Sequence, residues 1–104
     1  MTPLEALALH PLRSVALADG ARVSFRDAGA VTEVTHVLLH GIGSASGSWV
    51  RQLDAARGQA LRVLAWDAPG YGSSDPVASD WPDAGDYAGR LWAWLDALDV
   101  QEPV

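Results

Sequence analysis

Two short stretches carry the residue types on which chemistry could be built. Val37-Leu38-Leu39 is an apolar run that ends in His40-Gly41-Ile42-Gly43, and Val63-Leu64-Ala65-Trp66 is a second that ends in Asp67-Ala68-Pro69-Gly70-Tyr71-Gly72-Ser73-Ser74. Glycines directly after a strand let the backbone turn sharply and let a ligand approach main-chain N–H groups. Acyl transfer needs such donors, because charge builds on a carbonyl oxygen as the tetrahedral intermediate forms. His40 is the residue type most used as a general base. Asp67 could serve as a triad acid, but it also suits a local role, as a short carboxylate accepting N–H bonds from the Gly-rich loop it opens. The nearby serines do not make a nucleophile elbow, which takes the form Gly-x-Ser-x-Gly on a strand-to-helix turn. Gly72-Ser73-Ser74-Asp75-Pro76 has proline in place of the last glycine, and Gly43-Ser44-Ala45-Ser46-Gly47 has the wrong spacing.

These loops need a scaffold, and the patterning supplies one. Ser14 to Leu17 and Val23 to Arg26 are β-prone runs on either side of Asp19-Gly20, a strong hairpin signal. The second run alternates Val23 and Phe25 against Ser24 and Arg26, which predicts one wet face. His36 to Leu39 is apolar on both faces, as expected of a central parallel strand covered by helices. Trp49, Val50, Leu53 and Ala56 fall on one face of a helix from about Ser48 to Arg57, closed by Gly58. Leu61 to Trp66 is another buried strand, and Ala68 to Pro82 is a long loop rich in Pro, Gly and Ser. Tyr87, Leu91, Trp94, Leu95 and Leu98 form the apolar stripe of a helix that starts near Asp83 to Asp86, with acids at its positive dipole end. Val100 to Val104 leads towards a further strand. Residues 1–11, with two prolines, read as a loosely held lead-in. The fold class is α/β: a β-hairpin followed by β-α-β-α, with a mainly parallel sheet.

Composition narrows the function classes. The chain has 104 residues, 49% of them hydrophobic, enough for one small packed domain. It has no cysteine, so a thiol nucleophile, disulfides and thiolate metal sites are excluded. It has no lysine; its seven basic residues are all arginine, and the net charge is −6. Such a chain is a poor partner for nucleic acid or an anionic membrane. An early acid and no basic segment at the N-terminus argue against a signal peptide, and no apolar run approaches the roughly 20 residues of a membrane span. A soluble, cytoplasmic protein is the expectation.

The two loops in this order, His-Gly-x-Gly, helix, strand, Asp-x-Pro-Gly-x-Gly-x-Ser, helix, resemble the first half of the α/β-hydrolase fold. The resemblance spans about Leu12 to Val104 and looks most like enol-lactonases, ring-cleavage-product hydrolases and related esterases; haloalkane dehalogenases and epoxide hydrolases share the same half. It implies that residues 12–104 are the N-terminal portion of such a domain, truncated before the nucleophile elbow. It implies a backbone role for Ile42, whose N–H would be one oxyanion-hole donor, with Gly41, Ile42 and Gly43 lining the substrate. His40, Asp67, Pro69, Gly70, Gly72 and Ser74 would be structural, because the family's catalytic histidine and triad acid come later in its domain. A complete enzyme of this kind would hydrolyse a small ester, lactone or C–C-linked ketone, without cofactor or metal and without nucleic-acid or membrane partners. The chain alone would be inactive and would need the rest of the domain.

Two other readings stay open. Gly41-x-Gly43-x-x-Ser46 after a strand, with Asp67 ending the next, nearly matches a dinucleotide-binding fingerprint, although the third glycine is displaced by one residue. A P-loop is excluded because no lysine is present to reach the phosphates. The third reading is a non-enzymatic remnant of a hydrolase.

Overall fold

The computed structural model describes residues 2–78 and 81–100. The elements in chain order are α1 (Pro3–Ala8), β1 (Arg13–Ala16), β2 (Arg22–Gly29), β3 (His36–Leu38), α2 (Val50–Ala56), β4 (Arg62–Trp66) and α3 (Ala84–Ala97), with a 3-10 turn over Ser46–Trp49 leading into α2.

Four strands form one sheet in the order β1-β2-β4-β3. The hairpin pairs Arg13 with Phe25 and Ala16 with Arg22. Strand β2 then runs antiparallel to β4, with Phe25 opposite Trp66 and Gly29 opposite Arg62. Strands β3 and β4 are parallel, with His36 opposite Val63 and Leu38 opposite Ala65. The later strands are therefore parallel as expected, but the sheet is mixed rather than mainly parallel. Strand β4 lies between β3 and the hairpin strand β2, and the hairpin brings two antiparallel pairings, β1 with β2 and β2 with β4.

Alternation along β4 sorts the core into two layers. Leu64 and Trp66 face α3 and join Leu17, Val23, Phe25, Trp94 and Leu95. Val63 and Ala65 face the other way and join Ala28, Leu53 and Ala56 beneath α2. Trp94 anchors the first layer, edge-on to Phe25 at 5.7 Å and tilted against Trp66 at 5.6 Å between ring centroids. Leu53, fully buried, anchors the second; burying one such side chain is worth roughly 1.5–3 kcal/mol.

The wet face expected of β2 is not wet. Ser24 is completely buried and Ala28 nearly so, because α2 and the loop after β4 cover that side. The expected strand His36–Leu39 is shorter and less enclosed: Val37 and Leu38 are half-buried, Leu39 is 48% exposed, and β3 has a neighbour on one side only among the described residues.

The helices form where capping and periodicity meet. Asp83 caps α3, accepting from the Asp86 N–H, while the Asp86 side chain accepts from the Asp83 N–H. The lead-in is more ordered than its prolines suggested. Thr2 and Glu5 make the same reciprocal cap on α1, and Pro3 occupies the first turn, where its missing N–H costs nothing. Helix α1 packs on α2. Buried His10 follows it, with Nε2 3.4 Å from Asp54 Oδ1. Residues 68–78 and 81–82 carry no helix or strand, as expected of the long loop. The further strand expected after Val100 falls on residues 101–104, outside the described residues.

Candidate functional site

The two loops lie at the carboxyl ends of adjacent parallel strands, where open α/β sheets bind ligands. The first is a tight turn. The Ser44 N–H donates to the Gly41 carbonyl at 3.2 Å, and Gly43 sits at φ +78°, the left-handed conformation that the third position of a type II turn requires. That bond uses Gly41 and Ser44 and leaves the Ile42 N–H outside the turn's own hydrogen bonding. Ile42 itself is 97% exposed.

His40 links this turn to the second loop. Its Nε2 accepts the Ala68 N–H at 2.9 Å, and its Nδ1 lies 2.9 Å from the Gly41 carbonyl. A backbone N–H can only donate, so Nε2 is the bare nitrogen and the ring proton sits on Nδ1, donating to Gly41. The Tyr71 ring stands edge-on at 5.2 Å. Both ring nitrogens are thus committed to backbone.

Asp67 is the centre of a buried polar cluster. Its Oδ1 accepts the Ser46 N–H at 2.7 Å and its Oδ2 accepts the Ser24 hydroxyl at 2.5 Å. Its backbone N–H donates to the Ser24 carbonyl at 2.8 Å. The donors come from the 3-10 turn before α2 and from β2, not from the loop that Asp67 opens. Such a cluster meets the requirement that a buried carboxylate be fully hydrogen-bonded. Ser74 is part of it, donating to the Asp67 carbonyl at 2.6 Å and accepting the Ser24 N–H at 2.9 Å. That hydroxyl is only 7% exposed and is bonded both as donor and as acceptor. Gly72 is the glycine the cluster demands: φ is +52°, and a Cβ there would lie 2.5 Å from the Asp67 carboxyl carbon. Pro69 is buried, while Gly70, at φ +82°, turns the chain between them. Arg26 completes the set, with Nε donating to Ser46 Oγ at 3.3 Å and Nη1 to the His10 carbonyl at 2.8 Å.

The structure thus brings together His40, Asp67, Gly72 and Ser74 as a frame and leaves Ile42 at the rim. Sequence reasoning missed Ser24, Ser46 and Arg26. Only a serine among apolar β2 residues hinted at Ser24, and no motif marks it.

A model of the Alpha/beta hydrolase family matches residues 37–104, which include both loops. The chain belongs to the α/β-hydrolase family. A 2-hydroxy-6-oxononadienedioate/2-hydroxy-6-oxononatrienedioate hydrolase of Paraburkholderia phymatum is 36% identical over 83 residues, covering 77% of this chain and 28% of that protein. A hydrolase from Pseudomonas aeruginosa superposes with a TM-score of 0.72 at 31% identity, over 88% of this chain and 34% of that one. A Vigna radiata epoxide hydrolase mutant superposes with a TM-score of 0.72 at 27% identity, over 89% and 29%. The chain spans about a third or less of the length of these α/β-hydrolases. What it contains is the first half of their fold, hairpin, β3, α2, β4 and α3.

Proposed function

We propose that these residues supply the oxyanion-hole loop of a cofactor-independent hydrolase acting on a small ester, lactone or C–C-linked ketone. The nucleophile, triad acid and base come from parts of the enzyme that these 104 residues do not contain, so the chain alone is inactive. The carrying observation is the Gly41–Ser44 turn at the end of β3, braced by His40 and with the Ile42 N–H outside the turn's hydrogen bonding. A donor at that position would meet the carbonyl oxygen as it gains charge, a contact worth about 3 kcal/mol in the transition state. The P. phymatum relative is named as a hydrolase of 2-hydroxy-6-oxo dicarboxylates, which favours a small carbonyl substrate over a polymer. The dinucleotide reading is disfavoured by Asp67, which it needs for a ribose but which is buried and already bonded on both carboxylate oxygens.

The test is Ile42→Pro in the full-length enzyme. Proline deletes the one N–H at issue. It is expected to lower kcat on a p-nitrophenyl ester by about a hundredfold or more, while Ile42→Ala, which keeps the N–H, costs far less, with circular dichroism confirming both folds. Unchanged kcat in a folded Ile42→Pro variant overturns the assignment.

A further inference from the structure

We propose that Ser24, a residue of the hairpin strand, is a positioning residue for the Gly41–Ser44 turn, acting through Asp67. The inference rests on the oxyanion reading for its catalytic consequence but not for its geometry. The turn is bracketed by two contacts from the second loop: Ala68 N–H to His40 before it, and Ser46 N–H to Asp67 Oδ1 after it. The second bracket is only as firm as the carboxylate. Asp67 sits at the end of β4 with two free side-chain torsions, and the Ser24 hydroxyl, at 2.5 Å on Oδ2, is the group that fixes them so that Oδ1 meets Ser46. Ser24 Oγ also accepts the Ser73 N–H at 3.2 Å, and its own N–H donates to Ser74 Oγ. One hydroxyl, wholly buried, therefore ties both ends of the second loop to β2 and sets the height of the first.

The effect must be separable from a general loss of stability. Amide hydrogen exchange does this, because local loosening and global unfolding affect different amides. In the wild-type chain the Ser46 amide is expected to be protected like those of β4. In Ser24→Ala it should exchange about tenfold faster, the worth of one buried hydrogen bond, while the Leu17 amide, bonded to the Ala21 carbonyl at the far end of the hairpin, keeps its rate. Ser24→Thr, which keeps the hydroxyl and suits a strand, should restore slow exchange at Ser46. In the full-length enzyme Ser24→Ala should lower kcat about tenfold with little change in KM, because the turn's donor acts in the transition state.

Equal acceleration at Ser46 and Leu17, or a KM effect alone, would overturn the proposal. If Ser24→Ala does not fold, the wild-type measurement still decides: a Ser46 amide exchanging like an exposed loop overturns it. A wild-type enzyme without hydrolase activity but with the exchange pattern intact removes the functional reading and leaves the Ser24 linkage standing.

Discussion

The Ala68 N–H donates to Nε2 of His40 at 2.9 Å, joining the ends of two parallel strands across 28 residues of sequence. A histidine placed where a general base might be sought is held instead as an acceptor for backbone, its other nitrogen bound to Gly41. Side chains of both loops are thus spent on holding main-chain groups in place.

His40→Ala should therefore behave as a structural variant. It orphans the part-buried Ala68 N–H and is expected to cost about 1–3 kcal/mol. Urea unfolding of the variant measures this. In the full-length enzyme the pH–rate profile should keep its shape, which it would not if His40 were the base.

Two glycines should respond in opposite directions to alanine. Gly72→Ala forces a Cβ into the Asp67 carboxylate at a left-handed φ and is expected to destabilise by more than about 2 kcal/mol. Gly89, inside α3 with open space around it, should gain about 0.5–1 kcal/mol from the same change. Thermal melts of the two variants check both signs.

Leu53→Ala should cost about 2–5 kcal/mol, since the side chain is fully buried between α2 and the sheet. The same change at Leu4, which is 80% exposed on α1, should stay within about 0.5 kcal/mol. Denaturant midpoints distinguish them.

Acid should weaken the ion pair between Asp54 and Arg57 at the end of α2. The hydrogen bond from Arg57 holds the Asp54 carboxyl below its ordinary range; partial burial opposes this, and the contact with His10 adds to the lowering. A carboxyl depressed by folding lends stability that is present above its unfolded value and is lost as pH falls through the folded one. Asp54→Asn should flatten the acid limb of a stability-versus-pH curve below the ordinary carboxylate range and leave the neutral region little changed.

The chain by itself should self-associate. Among the described residues β3 offers an unpaired edge, with Leu39 half-exposed beyond it, and such an edge is a template for another strand. Size-exclusion elution is expected to depend on concentration, and Leu39→Lys should shift it towards monomer. A concentration-independent monomer with a cooperative melt would show that the edge is harmless.

Much of this was legible in the sequence. Asp19-Gly20 marked the hairpin, Asp83 and Asp86 marked the start of α3, and the glycines of both loops marked where strands end, because each signal is local and has one physical cause. Residues 1–11 read as a loosely held lead-in because of their two prolines, although Thr2, Pro3 and Glu5 cap the helix found there. Ser24 was not legible. Alternation along β2 says which residues share a face, but not that the loop after β4 folds back over that face. Nor could spacing show which donors Asp67 would find, since Ser46 and Ser24 lie 21 and 43 residues away from it.

The strand order β1-β2-β4-β3 has a consequence for synthesis. The hairpin can close as soon as it leaves the ribosome, but β3 then emerges with no place to go. Its partner β4, which also completes β2, is made some two dozen residues later. During that interval Val37, Leu38 and Leu39 are an apolar segment without a sheet. Once β4 emerges it can pair with both neighbours, and the loop that follows it can then close on the first.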